Sequence, residues 1–219
     1  MRNIWIGLAV VFAFLVAGTL SGTSSRFYVK PEQLRSYEQE YGPRAVKRLN
    51  ALLSMMNTHQ NASEEEKLKA VNRFFNQVPY RRDIKAWGKS DYWASRLEFL
   101  GKGMGDCEDY AVAKYLTLSQ LGVPQERLFM TYVRARGFSE AAHMVVSYYT
   151  DRKAVPLVLD NYDKRILPAT QRKDLIPVYS FTAQDLFLQK QKGLGKRVDP
   201  SKVKTLKKLR SIDLEIYKG

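Results

Sequence analysis

The sequence predicts an α+β fold of one domain, in which helices come first and a central helix packs on an antiparallel sheet. Apolar residues recur at three- and four-residue spacing within residues 43–78, which is typical of amphipathic helices. After Gly122 the pattern changes to short segments rich in Val, Tyr, Phe and Leu, which favour strands. Helices followed by strands indicate an α+β arrangement. At 219 residues the chain is long enough for one sizeable core.

The composition is that of an ordinary globular protein, with 45% hydrophobic and 26% charged residues. The formal net charge is +14, and much of it is local, because residues 190–210 contain nine Lys or Arg and one acid, Asp199. We expect residues 190–219 to form a basic C-terminal tail, either a solvated helix or a segment that contacts an anionic membrane or an acidic partner. No aromatic residue interrupts residues 190–210, so nucleic-acid binding is not predicted.

The N-terminus, residues 1–22, is typical of an export signal or a membrane anchor. Arg2 supplies an early positive charge, and residues 4–20 contain no charged side chain. This apolar run exceeds the usual core of a signal peptide and only just reaches the length of a membrane-spanning helix. The small polar residues that follow favour cleavage. Whether the segment is cleaved or retained as an anchor, we expect the predicted domain, residues 26–189, to lie outside the cytoplasm.

Two helices are predicted in the first part of the chain. The first begins at Pro43, and the second begins at a capping box of Ser63 and Glu66 and ends before Pro79. Their apolar positions share a three- and four-residue spacing: Val46, Leu49, Leu53 and Met56 in the first, and Leu68, Val71, Phe75 and Val78 in the second.

Residues 80–100 show no regular period and are predicted to form a long loop that leads into a short helical turn. Trp93 in this loop has two interpretations: it lines the mouth of a site, or it is a buried aromatic residue. A third helix is predicted from Cys107 to Leu121, where Gly122 ends it. Apolar residues on more than one of its stripes indicate burial near the centre of the domain.

The predicted strands follow the third helix and are short. Turns are expected at residues 137–140 and 150–153, so that consecutive strands pair antiparallel. The strands comprise residues 128–135, 142–149 and 155–160, with residues 178–181 as one further candidate.

Cys107, the single cysteine of the chain, opens the predicted third helix. Unpaired backbone N–H groups at a helix N-terminus favour the thiolate, which makes Cys107 a candidate nucleophile; the alternative is a buried core cysteine. His143 begins an apolar strand, where a histidine needs a hydrogen-bonding partner, and Asp160 at the end of the next predicted strand can provide one. Cys, His and Asp are the residue types of thiol acyl transfer, in which Cys attacks a carbonyl, His moves the proton and Asp orients the imidazole.

Three carboxylates surround this candidate nucleophile: Asp106, Glu108 and Asp109. Nearby negative charge disfavours a thiolate, so these residues oppose the effect of the helix N-terminus. One explanation is local, since acidic residues are preferred in the first turn of a helix, with Asp106 as N-cap and Asp109 at the third position. The other is a bound cation, and oxygen ligands of this kind select Ca²⁺ over Zn²⁺.

Four segments together resemble the bacterial transglutaminase-like cysteine proteinase family: GDCEDYAVAKYLTLSQLGV, AHMVVSYY, PLVLDNYDKRILPATQRKDLIPVYSF and DYWASRLEFL. They lie within residues 80–181, about half of the chain. The resemblance implies a papain-like or transglutaminase-like cysteine protease fold. It also implies that Cys107 is the nucleophile, His143 the base and Asp160 the orienting carboxylate.

The resemblance further implies a dependence on calcium, because carboxylates beside the catalytic cysteine bind the ion in this family. The implied ligands are Asp106 and Glu108, with Asp109 and Asp91 as less direct candidates. A divalent cation at this position would reverse the sign of the electric field that the acids exert on Cys107.

The implied function is that of a periplasmic, calcium-dependent cysteine endopeptidase. Its implied substrate is a large type-I-secreted adhesin, cut near its N-terminus, with reduced biofilm attachment as the consequence. An inner-membrane cyclic-di-GMP receptor that sequesters the protease is the implied partner. Two alternatives stay open: a transglutaminase-like acyltransferase with the same triad, and a calcium-binding interaction module without catalysis, whose basic tail contacts membranes or acidic proteins. Membrane contact through the leader or the basic tail is a further expectation.

Overall fold

The computed structural model describes residues 25–137, 142–182, 186–189, 194–198 and 216–219. Within these residues the helices are α1 (Pro31–Tyr41), α2 (Pro43–His59), α3 (Glu64–Phe75), α4 (Asp83–Ala86), α5 (Arg96–Lys102) and α6 (Cys107–Gln120). The strands are β1 (Phe27–Tyr28), β2 (Leu128–Ala135), β3 (Ala142–Tyr148), β4 (Leu157–Leu159), β5 (Leu167–Pro168), β6 (Leu175–Phe181), β7 (Leu186–Gln189), β8 (Leu194–Val198) and β9 (Tyr217–Lys218).

The main sheet is antiparallel and seven-stranded, in the order β5-β4-β3-β2-β6-β7-β8. Central strand β2 pairs with β3 along most of its length, from Leu128 opposite Tyr148 to Arg134 opposite Ala142. On its other side β2 pairs with β6, with a register shift after Tyr132. Helices that precede an antiparallel sheet confirm the predicted α+β class.

Helix α6 is the central helix and packs across β2 and β3. It is buried on almost every side, because the sheet covers one flank while α3 and α5 cover others. Met130, Met144 and Val146 from the sheet belong to the same apolar core as the helix. The predicted central position of this helix is therefore confirmed, and its first residue, Cys107, lies at the edge of the core.

The two helices predicted at the start of the chain are present as α2 and α3. The predicted capping box is formed: Ser63 N donates to Glu66 Oε2 at 2.9 Å, and Glu66 N donates to Ser63 Oγ at 3.3 Å. Helix α3 ends at Phe75, before the predicted end at Val78. Asn76, the residue at which it stops, donates its side-chain amide to Asn72 Oδ1 at 3.2 Å.

Helices α1 and α4 were not predicted, because their apolar residues are too few to show a period. Helix α1 buries Tyr37, whose hydroxyl donates to the Leu97 carbonyl at 3.0 Å. Helix α5 is the short helical turn predicted after the loop. It begins at a second capping box, in which Ser95 N donates to Glu98 Oε2 at 2.7 Å.

Parts of the segment predicted to be a basic tail are strands of the fold. Strand β8 pairs with β7 at the edge of the main sheet, so the solvated helix expected there is wrong for these residues. The exposed charges of Lys196 and Arg197 suit an edge strand, because they discourage pairing with another chain. Strand β9 pairs with β1, whose Phe27 N donates to Asn57 Oδ1 at 2.8 Å.

The predicted leader, residues 1–22, lies outside the described residues, as does most of the turn predicted at 137–140. Among the helices that the structure describes, none has the length and apolar character needed to cross a membrane.

Gly105 lies directly before Asp106, at a point where the chain passes close to two other side chains. A Cβ atom here would lie 2.3 Å from Asp109 Oδ2 and 2.7 Å from Cδ2 of Phe99, which is fully buried. We expect Gly105→Ala to lower the free energy of unfolding by about 1–3 kcal/mol, because overpacking forces the core apart. Urea denaturation of the two proteins measures this difference.

Gly88→Ala separates backbone strain from crowding. Gly88 has a φ of 68° and no heavy atom within 4 Å of a built Cβ, so its substitution strains the backbone without crowding, whereas Gly105 is not among the glycines with positive φ. A Gly105→Ala protein as stable as the wild type would contradict the crowding at Gly105.

Candidate active site

A cleft of about 640 Å³ lies where the N-terminus of α6 meets the start of β3, and both Cys107 and His143 line it. Its lining also contains acidic side chains from three parts of the chain: Asp83, Asp91, Asp106 and Glu108. Aromatic side chains complete it: Trp93, Tyr132 and Tyr179. The rings of Tyr132 and Tyr179 are stacked, with centroids 5.1 Å apart. The cleft therefore joins the candidate nucleophile and base to an acidic surface and an aromatic one.

Trp93 combines the two roles that the sequence left open. Its side chain lines the cleft and also packs against the main core, where its ring centroid lies 6.4 Å from that of Phe181.

Cys107 is the first residue of α6, as predicted, and its side chain is only 8% exposed. Its Sγ–H donates to Glu108 Oε2 at 3.0 Å. Burial, then the charges of Glu108 and Asp106, raise the pKa of the thiol, whereas a hydrogen bond from the Met144 backbone acts in the opposite direction. This contact to Met144 places the sulfur against β3, next to the residue that follows His143 in the chain.

His143 is buried and held in a fixed orientation. Its Nε2 lies 2.7 Å from Asp160 Oδ1, and its ring stacks on Tyr162 with centroids 4.0 Å apart and planes 5° from parallel. Because an ionised carboxylate can only accept, Nε2 donates its N–H to Asp160, and in a neutral imidazole the lone pair then lies on Nδ1. Nδ1 is buried and has no hydrogen-bond partner among the described residues. In this orientation a neutral imidazole can accept a proton at Nδ1.

Asp160 follows β4 directly and is fully enclosed, with 1% exposure. Burial alone would raise its pKa, but hydrogen bonds from His143, Tyr162 N and Arg172 outweigh burial and hold the pKa of Asp160 well below its usual range. The Arg172 guanidinium donates to Asp160 Oδ2 at 2.6 Å and also binds Asp174. Asp160 is therefore ionised, as an orienting carboxylate must be.

The backbone of Asp160 is held as firmly as its side chain. Its carbonyl oxygen accepts from Lys114 Nζ at 3.0 Å and from Asn76 Nδ2 at 2.8 Å. Sequence reasoning missed Arg172, Lys114 and Asn76, because they come from three separate elements and no motif or spacing connects them.

Five carboxylates cluster beside Cys107 in overlapping groups whose oxygens lie within 4.8 Å of one another: Asp83, Asp91, Asp106, Glu108 and Asp109. Asp83 was not predicted, because it lies in a region without a recognisable period. The structure brings it next to the predicted Asp106 and Asp109 in one group, and next to Asp91 and Glu108 in another. All predicted metal-ligand candidates therefore lie near the same place.

Asp109 has a structural role in addition. Its Oδ1 accepts from Ala94 N at 2.9 Å, and its Oδ2 accepts from Asp106 N at 3.3 Å, which supports the predicted capping interaction. Both of its oxygens are thus engaged with the backbone. Asp106, Glu108 and Asp83 are better placed to supply free oxygen atoms.

The acidic cluster fits a hard divalent cation. Asp83 Oδ1 and Asp106 Oδ1 are buried and have no hydrogen-bond partner in the part of the chain that the structure describes. Burial and the neighbouring acids raise the pKa of Asp106 to about 10, and burial chiefly raises that of Asp109 to about 8. Carboxylate oxygens with such high proton affinity are suited to Ca²⁺, whereas Zn²⁺ prefers imidazole and thiolate ligands.

Comparison with known proteins places the chain in a family. The family model described as bacterial transglutaminase-like cysteine proteinase matches residues 38–182. The calcium-bound structure of LapG from Legionella pneumophila is 36% identical, with a TM-score of 0.69, over 82% of this chain and 96% of that chain. The EGTA-treated structure of LapG from the same organism is 36% identical, with a TM-score of 0.70, over 81% of this chain and 94% of that chain. Comparison with curated proteins gives no match.

The matched segment contains α6, β3 and the end of β4, the three elements that carry Cys107, His143 and Asp160. Its helices and antiparallel sheet also agree with the fold of a solved relative at more than one third identity. This chain belongs to the bacterial transglutaminase-like cysteine proteinase family.

Proposed function

We propose that the protein is a calcium-dependent cysteine endopeptidase with Cys107 as nucleophile, His143 as base and Asp160 as orienting carboxylate. The observation that carries this proposal is the orientation of His143: Nε2 is fixed on Asp160, while Nδ1 has no partner among the described residues and the ring lines the same cleft as Cys107. A histidine with only a structural role would need no nitrogen without a hydrogen-bond partner on a ring that lines the same cleft as Cys107.

The proposed reaction uses only groups in the cleft. His143 Nδ1 takes the proton of Cys107, and the sulfur attacks the carbonyl carbon of the scissile peptide bond. Asp160 stabilises the imidazolium that forms, which then protonates the leaving amine. Water hydrolyses the remaining thioester with His143 as base. The backbone N–H of Cys107, at the N-terminus of α6, is one donor to the developing oxyanion.

The calcium part of the proposal is supported by the acidic cluster and by the relatives. Asp106, Glu108 and Asp83 would hold the ion, with Asp91 as a further ligand. When bound, it supplies positive charge next to the thiol. Without positive charge the acids and burial raise the pKa of Cys107, so deprotonation of the thiol is disfavoured. LapG of Legionella pneumophila has been described both calcium-bound and EGTA-treated.

The substrate and the regulator are proposed from the resemblance to adhesin-releasing members of the family. The substrate is a large type-I-secreted adhesin, cleaved near its N-terminus in the periplasm, with reduced biofilm attachment as the result. The regulator is an inner-membrane cyclic-di-GMP receptor that sequesters the protease. The direct test is incubation of the purified protein with the N-terminal part of such an adhesin; two shorter products indicate hydrolysis, and a larger species indicates acyl transfer.

We expect Cys107→Ala and His143→Ala each to abolish cleavage of the adhesin fragment while the protein stays folded. Removing any member of a triad that acts as a unit lowers kcat by several orders of magnitude. Product formation is followed by gel electrophoresis, and folding by circular dichroism. A Cys107→Ala protein that still cleaves would exclude the thiol mechanism, and a His143→Ala protein that no longer folds would indicate a core histidine.

Calcium chelation is expected to abolish cleavage, and Asp106→Ala and Glu108→Ala are expected to reproduce its effect. Chelation removes the proposed ion, and each substitution removes one of its ligands. In all three cases the positive charge that favours the thiolate of Cys107 is lost or weakened. The control is Glu65→Ala, which removes an exposed carboxylate that pairs with Lys69 on α3. Full activity in excess EGTA would contradict the calcium requirement.

The thermal stability of the protein is expected to rise with Ca²⁺, and to rise more at about pH 8 than at about pH 5. The pKa of Asp106 is raised by folding to about 10, so the ion-free fold loses stability as pH increases from the unfolded-state pKa towards that value. Ca²⁺ binds the ionised form and removes this loss. Asp83→Asn should reduce the calcium-induced increase in Tm, because Asp83 contributes to two of the carboxylate groups. An increase in Tm that is independent of pH would contradict binding at these acids.

A further inference from the structure

Lys114 is a charged residue enclosed in the centre of α6, with only 1% exposure. Its Nζ donates to the Asp160 carbonyl at 3.0 Å and lies 5.8 Å from the centre of the Tyr110 ring. A buried ammonium is costly because it gives up its hydration, so an ordinary core position would carry an apolar side chain. Lys114 takes no part in the proposed reaction.

The position of Lys114 on α6 relates it to the nucleophile. Seven residues separate it from Cys107, which corresponds to about two helical turns, so both side chains leave the same face of the helix. That face presents Cys107 to the start of β3 and Lys114 to the residue that follows β4. One helix therefore sets the positions of both ends of the Cys107, His143 and Asp160 array.

The charges around Asp160 show why an ammonium is present. Asp160 and Asp174 carry two negative charges, and Arg172, which binds both, supplies one positive charge. A protonated Lys114 supplies the second, so the group is neutral with His143 uncharged. Without Lys114 the group carries one excess negative charge, which favours a protonated imidazole.

Lys114 is an ammonium below about pH 7. Burial lowers its pKa to about 7, and Asp160 opposes this effect. The other titratable group that contacts it is Tyr110 on the same helix, whose pKa burial raises above its usual range, so Tyr110 stays neutral here. His143 and Arg172 bind the side chain of Asp160, whereas Lys114 binds its backbone carbonyl, so Asp160 lies between Lys114 and these two groups.

We propose that Lys114 is a positioning residue of the triad: its ammonium holds the Asp160 backbone and supplies the buried charge that keeps His143 uncharged and able to act as the base. This inference rests on the proposed function, because it assigns His143 the role of base. Asn76 provides a built-in comparison, since its side-chain amide donates to the same carbonyl oxygen without a charge.

The experiment compares Lys114→Met with Asn76→Ala in the full-length protein at saturating calcium and below about pH 7, where Lys114 carries its proton. The proton affinity of His143 is followed by NMR of the imidazole nitrogens, with His59→Gln used to assign the resonances of the chain's two histidines. We expect the imidazole of His143 to be protonated at a higher pH in Lys114→Met than in the wild type, and at the same pH in Asn76→Ala as in the wild type. We expect kcat of Lys114→Met to fall by roughly 10- to 100-fold at unchanged KM, since Lys114 is not part of the cleft lining.

A pKa of His143 that is the same in the wild type and in Lys114→Met, or that shifts equally in both variants, would overturn the inference even if Tm decreased. Lys114→Gln, which keeps a polar side chain, replaces Lys114→Met if the latter does not fold. The NMR measurement needs no substrate. Failure of the protease assignment, seen as cleavage by Cys107→Ala, is therefore distinguishable from failure of this inference.

Discussion

Asp160 is a buried carboxylate on which the geometry of the whole site depends. Four parts of the chain converge on it: His143 from β3, Arg172 from the loop before β6, Lys114 from α6 and Asn76 from the end of α3. Burying an ion is unfavourable unless its partners are already in place, so the helices and the sheet must pack correctly before Asp160 is satisfied. The contact from Asp160 to Nε2 holds the ring of His143 in one orientation, which links the packing of the fold to the chemistry of the cleft.

At the first turn of α6, in contrast to Asp160, neighbouring charges disfavour the ionised form of a side chain, that of Cys107. The helix N-terminus favours a thiolate, while Asp106 and Glu108 disfavour it, and burial adds to the effect of the acids. The proposed cation would reconcile these effects, because it would satisfy the unpaired oxygens of Asp83 and Asp106 and compensate the negative charge beside the sulfur. A nucleophile whose proton affinity depends on an ion can be controlled by the supply of that ion.

Sequence patterns predicted most of the elements that position the site. Periodicity and capping residues located α2, α3 and α6, and short β-rich segments located β2, β3, β4 and β6, because each of these signals is local. Helix α1 escaped prediction because it buries little besides Tyr37. Strands β7 and β8 were not predicted either, because their conformation is determined by pairing with neighbouring strands and not by their own composition.

The sequence by itself determined the candidates for the reacting groups: a single cysteine at the start of a helix, a histidine at the start of an apolar strand and an aspartate after the next strand. It also predicted the acids on either side of the cysteine. Only the tertiary structure decided which nitrogen of His143 is open, that Asp83 joins the acidic cluster, and that Lys114, Asn76 and Arg172 enclose Asp160. The reason is physical, because residues far apart in the chain come together only when helices and sheet pack, and no local spacing encodes such contacts.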